Sequence, residues 1–105
     1  MPALRLHEIA HARAGDKGET TNIAVFPYDD ADYALLDQHL TAERVGEHFA
    51  YLELDSVTRY DVPNLGGFNF VLVGTRRGGV SAALDLDSHG KSLSFVLLAM
   101  ELELP

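Results

Sequence analysis

The chain has 105 residues, 47% of them apolar, with no cysteine or tryptophan, and a formal charge of −8 from 16 acids against 8 bases. One domain over residues 1–105 is expected, hiding roughly 65% of its unfolded surface, and the lack of thiols excludes disulfides, thiolate zinc sites and cysteine catalysis. The acidity excludes non-specific nucleic-acid binding, which needs clustered Lys and Arg. The longest apolar run, Phe95 to Met100, is too short to span a bilayer, and with no basic-then-apolar leader a cytoplasmic protein is expected. The charge is concentrated: residues 29–61 hold nine acids against Arg44 and Arg59, a balance of −7, while residues 1–28 sum to zero and 62–105 to −1.

In chain order, His7-Glu8-Ile9-Ala10-His11 matches the H-E-x-x-H zinc signature letter for letter. The signature works on a helix, where the two histidines lie one turn apart; in a strand they stand roughly 13 Å apart, too far to share an ion. An extended segment with exposed histidines is expected. Next comes His11-Ala-Arg13-Ala-Gly15-Asp16-Lys17-Gly18-Glu19-Thr20-Thr21-Asn22. One reading is a tight turn with Gly15 and Gly18 at positive φ. The other is an anion cradle of backbone N–H groups assisted by Arg13 and Lys17. It is not a P-loop, because the G-x-x-x-x-G-K-[ST] order is missing.

Thr21, Ile23 and Val25 alternate as a strand. Asp29 and Asp30 then predict a helix start, with Tyr33, Leu36 and Leu40 on one face. Thr41 caps a second predicted helix whose stripe is Val45, Phe49 and Leu52, with Glu43 and Glu47 pointing to solvent. A weaker strand is expected over 54–62, with Leu54, Tyr60 and Val62 of one parity, ended by Pro63. Asn64 predicts a short helix through Phe68, Val71 and Leu72, stopped at Gly78-Gly79, with a strand over Phe68–Val73 as the alternative. Val80 to Asp87 alternates as a strand, Asp87-Ser88-His89-Gly90-Lys91 suits a hairpin turn, and Leu93–Leu104 is expected to return extended. The order β-β-α-β-α-β-β describes an α+β two-layer sandwich, a mainly antiparallel sheet with helices on one face.

Outside the glycine segment, Arg59 reads as an ion-pair partner or a ligand clamp. Asn69 is costly to bury unpaired and is either structural or a site residue. His89 and Lys91 read as hairpin-tip residues, and Ser81 and Ser94 lack a nucleophile-elbow context.

The blocks HARAGDKGETTNIAV, LTAERVGEHF, RYDVPNLGGFNFVL, and GGV followed by LDSHGKSL occur in this order from about Leu6 to Glu101. Together they resemble the ferredoxin-like domain at the C-terminus of acyclic terpene utilisation protein A (AtuA), a domain also found as a short stand-alone protein. The resemblance implies a ferredoxin-like α+β domain and points to His11, Arg13, Gly15, Asp16, Lys17, Gly18, Asn22, Arg59, Asn64, Asn69, Asp87, Gly90 and Lys91. Ala14 stands where the family pattern H-A-R-S-G-D-K-G has serine, which puts a hydroxyl role there in doubt. That pattern does not call for His7 or Glu8, which weakens the zinc reading.

The expected function is an accessory or ligand-binding domain, itself a homo-oligomer, working beside a larger AtuA-type protein in breakdown of terpenoid or branched acyl compounds. The alternative is an enzyme acting on a carboxylate or acyl-thioester intermediate through the His11-Arg13-Asp16-Lys17 loop, with His11, Asp16 and Lys17 as catalytic candidates. A small anionic or acyl ligand would meet Arg13, Gly15, Lys17, Gly18, Asn22, Arg59 and Asn69. No cofactor or metal is expected.

Overall fold

The computed structural model describes residues 3–74 and 89–103. Strand β1 (Ala3–Arg5) leads through a 3-10 turn (Leu6–Glu8) into β2 (Ala10–Lys17) and β3 (Thr20–Pro27), which form a hairpin. A 3-10 turn (Asp30–Asp32) precedes helices α1 (Tyr33–His39) and α2 (Ala42–His48), and another (Ala50–Leu52) follows them. Strands β4 (Ser56–Val62) and β5 (Gly67–Val73) flank a third such turn (Pro63–Leu65), and helix α3 (His89–Leu98) and strand β6 (Glu101–Glu103) end the described chain. The main sheet is antiparallel in the order β2-β3-β5-β4, and β1 pairs with β6 beside it. Because β5 lies between β3 and β4, which run parallel, the segment from β3 to β4 is a split β-α-β unit.

Capping follows the sequence. The Asp29 carboxylate accepts from the Ala31 N–H at 2.9 Å, and the Thr41 hydroxyl accepts from the Arg44 N–H at 3.1 Å. Leu36, Leu40, Val45, Phe49 and Leu52 then turn into one core with Ile23, Val25, Phe68, Phe70, Leu72, Leu93 and Leu97. Every sheet residue of that core has one strand parity, so the three described helices cover a single face. The expected α+β two-layer sandwich is thus observed.

Four local expectations are corrected. Phe68–Val73 is strand, the alternative reading: the Asn64 turn lasts only three residues before Gly66, at φ 70°, ends it. Leu93–Leu98 belongs to a helix rather than to a returning hairpin strand, with Leu93, Ser94 and Leu97 buried and Phe95 69% exposed, a helical and not an alternating pattern. His89, Gly90 and Lys91 are accordingly helical rather than turn residues, and only Glu101–Glu103 is extended. In β4 the inward parity is Val57 and Arg59, leaving Tyr60 55% exposed. Gly15 has no positive φ; it sits within β2, and Gly18, at φ 64°, alone supplies that conformation in the two-residue Gly18-Glu19 turn, the pattern of a type II′ hairpin. The predicted strand Val80–Asp87, its serine Ser81, the Gly78-Gly79 stop and Asp87 lie outside the described residues.

Candidate binding face

The β2–β3 register fixes which side chains of the glycine segment share a face. Lys17 pairs with Thr20, Gly15 with Asn22, Arg13 with Ala24 and His11 with Phe26. Continuing across β5 and β4, one row reads Arg13–Ala24–Asn69–Tyr60 and a second reads Gly15–Asn22–Val71–Thr58. Directly opposed residues point the same way and alternate residues point oppositely. Both rows therefore lie on the face away from the helices, while Ala12, Ala14, Ile23, Phe68 and Phe70 lie on the core face. His11, Arg13, Gly15 and Asn22 are exposed and Asn69 is half-buried.

Local chemistry on this face is specific. The His11 ring meets two aromatic rings, stacked on Phe26 at 5.6 Å and tilted against Tyr28 at 5.3 Å. Arg13 has no carboxylate partner among the described residues. Neighbouring strands are about 4.8 Å apart, so Asn69, two strands away in the same row, is within reach of a long arginine side chain. The Gly15 backbone faces Asn22, whose side-chain oxygen lies 3.5 Å from where a Cβ would stand. Half-buried Phe26, Ala24, Val71 and Val73, with exposed Tyr60, give this face apolar area, and Ser56 and Thr58 stand among them.

The Gly66-Gly67 pair beside this face has two separate purposes. Gly66 takes the left-handed conformation that ends the Pro63–Leu65 turn. Gly67 lies under the Phe26 ring, where an added Cβ would stand 2.4 Å from Phe26 Cδ1 and 2.6 Å from the Val25 carbonyl oxygen.

Arg59 is not part of this face. It points among the helices, its guanidinium 4.8 Å from the Phe68 ring, which stacks on Tyr33 at 4.7 Å. Nε donates to Asp61 Oδ1 at 2.8 Å and Nη2 to Asp61 Oδ2 at 3.2 Å and Asp37 Oδ1 at 2.6 Å, while Nη1 donates to the Asp37 and Leu40 carbonyls at 3.0 Å each. All five N–H donors are therefore engaged within the fold. Burial by itself would lower the Arg59 pKa, but the hydrogen bonds and charges of Asp37 and Asp61 outweigh it and hold the pKa above the ordinary value. The group closes the C-terminal end of α1 onto β4.

Of the residues singled out in the sequence, the fold thus brings together His11, Arg13, Gly15, Asn22 and Asn69, and keeps Arg59 apart. Gly18 stands at the hairpin tip, and Asp16 and Lys17 pair by register with Thr21 and Thr20. Asn64 lines a different hollow of about 490 Å³ with Asp30, Tyr33 and Leu65. His7 lies in the Leu6–Glu8 turn and His11 in β2, so the H-E-x-x-H residues do not share a helical turn. Phe26, Tyr28 and Tyr60, which frame the face, were not singled out. Strand parity carries their signal, but it becomes readable only when the order of strands is known.

The family model of the AtuA ferredoxin-like domain matches residues 4–103. No curated protein and no solved structure matches the chain.

Proposed function

Because the chain belongs to the AtuA ferredoxin-like domain family, we propose that it is an accessory binding domain whose helix-free sheet face docks on a larger AtuA-type protein during breakdown of terpenoid or branched acyl compounds. One observation carries the reading: His11, Arg13, Asn22 and Asn69 stand together on a face that no described helix covers, among exposed and half-buried apolar groups. A contiguous apolar face rimmed by polar groups suits protein contact. Arginine and aromatic residues are the side chains that most often anchor such contacts. No described helix is long and apolar enough to cross a membrane.

The test uses tagged wild-type protein and an Arg13→Glu, Asn69→Arg double variant, each purified from the native host with co-purifying proteins identified by mass. An AtuA-type protein is expected with the wild type and at least tenfold less of it with the variant. Recovery of the chain alone, or equal capture by both, overturns the reading.

A second reading is supported by a crevice of about 330 Å³ at the β2 edge, lined by Ala12, Arg13, Ala14, Ser94 and Phe95. Arg13 borders this crevice from the edge strand, and a basic residue at the rim of a partly apolar crevice suits the carboxylate or thioester end of a branched acyl compound. In that reading the domain holds an acyl intermediate for its partner. A branched acid or acyl-CoA thioester at 100 times its Kd should then stabilise the protein by about 2.7 kcal/mol, read as a rise in Tm that Arg13→Ala removes. An unchanged Tm across the series, or a rise that Arg13→Ala leaves intact, would rule it out.

A further inference from the structure

The opposite edge of the sheet carries a second surface, which adjoins the sheet face at Thr58 and Tyr60. Strand β4 is the last in the order β2-β3-β5-β4, so one side of its backbone has no strand partner among the described residues. Its seven residues contain no proline, and Ser56, Thr58 and Tyr60 are exposed along it. Proteins usually guard such an edge with lysine, proline, a bulge or an inward charge, because unpaired N–H and C=O groups recruit another strand. Strand β4 has no lysine or proline, and its inward charge, Arg59, has all its donors engaged within the fold.

Beside this edge runs a groove of about 550 Å³ between α2 and β4. Its apolar lining includes Ala42, Phe49, Leu54 and Val57, and Gly46 adds no side chain to it. Glu43 and Glu53 also line the groove, both exposed and neither with an ion-pair partner among the described residues. An apolar lining with carboxylates suits a lysine or arginine side chain, whose methylene stem packs while its head stays near water and negative charge.

We propose that the β4 edge binds an extended basic peptide segment of another protein as an added strand, with alternate lysine or arginine side chains entering the α2–β4 groove. Main-chain hydrogen bonds to the edge supply affinity, and the groove selects the side chains. Charge chooses between occupants. Residues 29–61, which contain α1, α2 and all of β4 but Val62, hold a balance of −7. A second copy presenting the same edge is repelled, whereas a cationic strand is attracted.

The probe is a fluorescein-labelled seven-residue peptide of alternating lysine and valine, titrated with the full chain and followed by anisotropy. Saturable binding is expected, weaker as salt rises, and at least tenfold weaker for an alternating glutamate and valine peptide. The Glu43→Lys, Glu53→Lys double variant should lose at least tenfold in affinity. Both positions are exposed, and an unchanged urea midpoint would show that the fold is kept. Methylating alternate backbone nitrogens on the edge-facing side of the lysine peptide should cost a similar factor, because it removes the donors a strand needs while keeping the charge. Equal binding of the acidic and basic peptides, or binding untouched by the charge reversal or by backbone methylation, overturns the proposal.

Discussion

Gly67→Ala is expected to destabilise the protein by about 3 kcal/mol, at the upper end of what overpacking costs. The methyl group would enter space held by the Phe26 ring and by the Val25 carbonyl oxygen, 2.6 Å from the new atom. The ring can rotate or shift. The carbonyl belongs to the strand next to β5 and moves only with the sheet. For a domain of this size the loss corresponds to a fall in Tm of roughly 12–24 °C. Urea unfolding gives the direct measurement: the midpoint should fall with the slope unchanged. Adding Phe26→Ala should recover part of the loss, a positive coupling of about 1 kcal/mol, but not all of it, since the carbonyl remains. A Gly67→Ala protein within about 0.5 kcal/mol of wild type would show that the sheet yields at this point.

Arg59→Met is expected to cost about 3 kcal/mol and Arg59→Lys about 2 kcal/mol. Methionine keeps the apolar stem against Phe68 but leaves the Asp37 and Leu40 carbonyls and two carboxylates without their donor. Lysine keeps the charge, yet its three donors radiate from one nitrogen and cannot reach both oxygens of Asp61 and both carbonyls of α1 together. The Arg59 side chain is 17% exposed, whereas Asp37 and Asp61 are about half exposed at 51% and 46%. Replacing either carboxylate alone should therefore cost less, about 1 kcal/mol. High salt distinguishes the contributions. It should reduce the effects of Asp37→Asn and Asp61→Asn more than that of Arg59→Met, because the contacts to the Asp37 and Leu40 carbonyls are made to neutral groups, which salt screens less than it screens a pair of charges. A lysine variant as stable as wild type would mean that charge alone matters at this position.

Both predictions concern residues whose importance had a visible sequence signal and an unreadable reason. The blocks containing Arg59 and Gly66-Gly67 carry the family resemblance, but a pattern match does not say whether an arginine binds a ligand or closes a helix. Arg59 faces the core because β4 enters with Val57 inward, and the neighbouring apolar residues Tyr60 and Val62 argue for the other parity. A half-apolar strand at a sheet edge fits either face by composition, and only its pairing with β5 selects one.

Similar competition acts in the segments whose local pattern and final structure differ. Phe68, Phe70 and Leu72 alternate, yet Asn64 before them is a good helix cap, and local preference cannot weigh a cap against a place between two strands. From Phe95 to Met100 the apolar run is unbroken, which hides whether the period is two or 3.6. Burial of Leu93 and Leu97 with exposure of Phe95 resolves it. Where the signals agreed, as with Asp29, Thr41 and the stripe from Leu36 to Leu52, the helices formed as expected.

By itself, then, the sequence determined the α+β class, the caps and apolar stripes of α1 and α2, the β3 strand and the family, because each is written in local spacing or in ordered blocks of residues. Tertiary structure decided which strands are neighbours, and with that which side chains share a face. His11, Arg13, Asn22 and Asn69 come together only because β5 inserts between β3 and β4, a long-range pairing that no local period encodes. The same pairing turns Arg59 inward, leaves the β4 edge open and places Gly67 beneath Phe26.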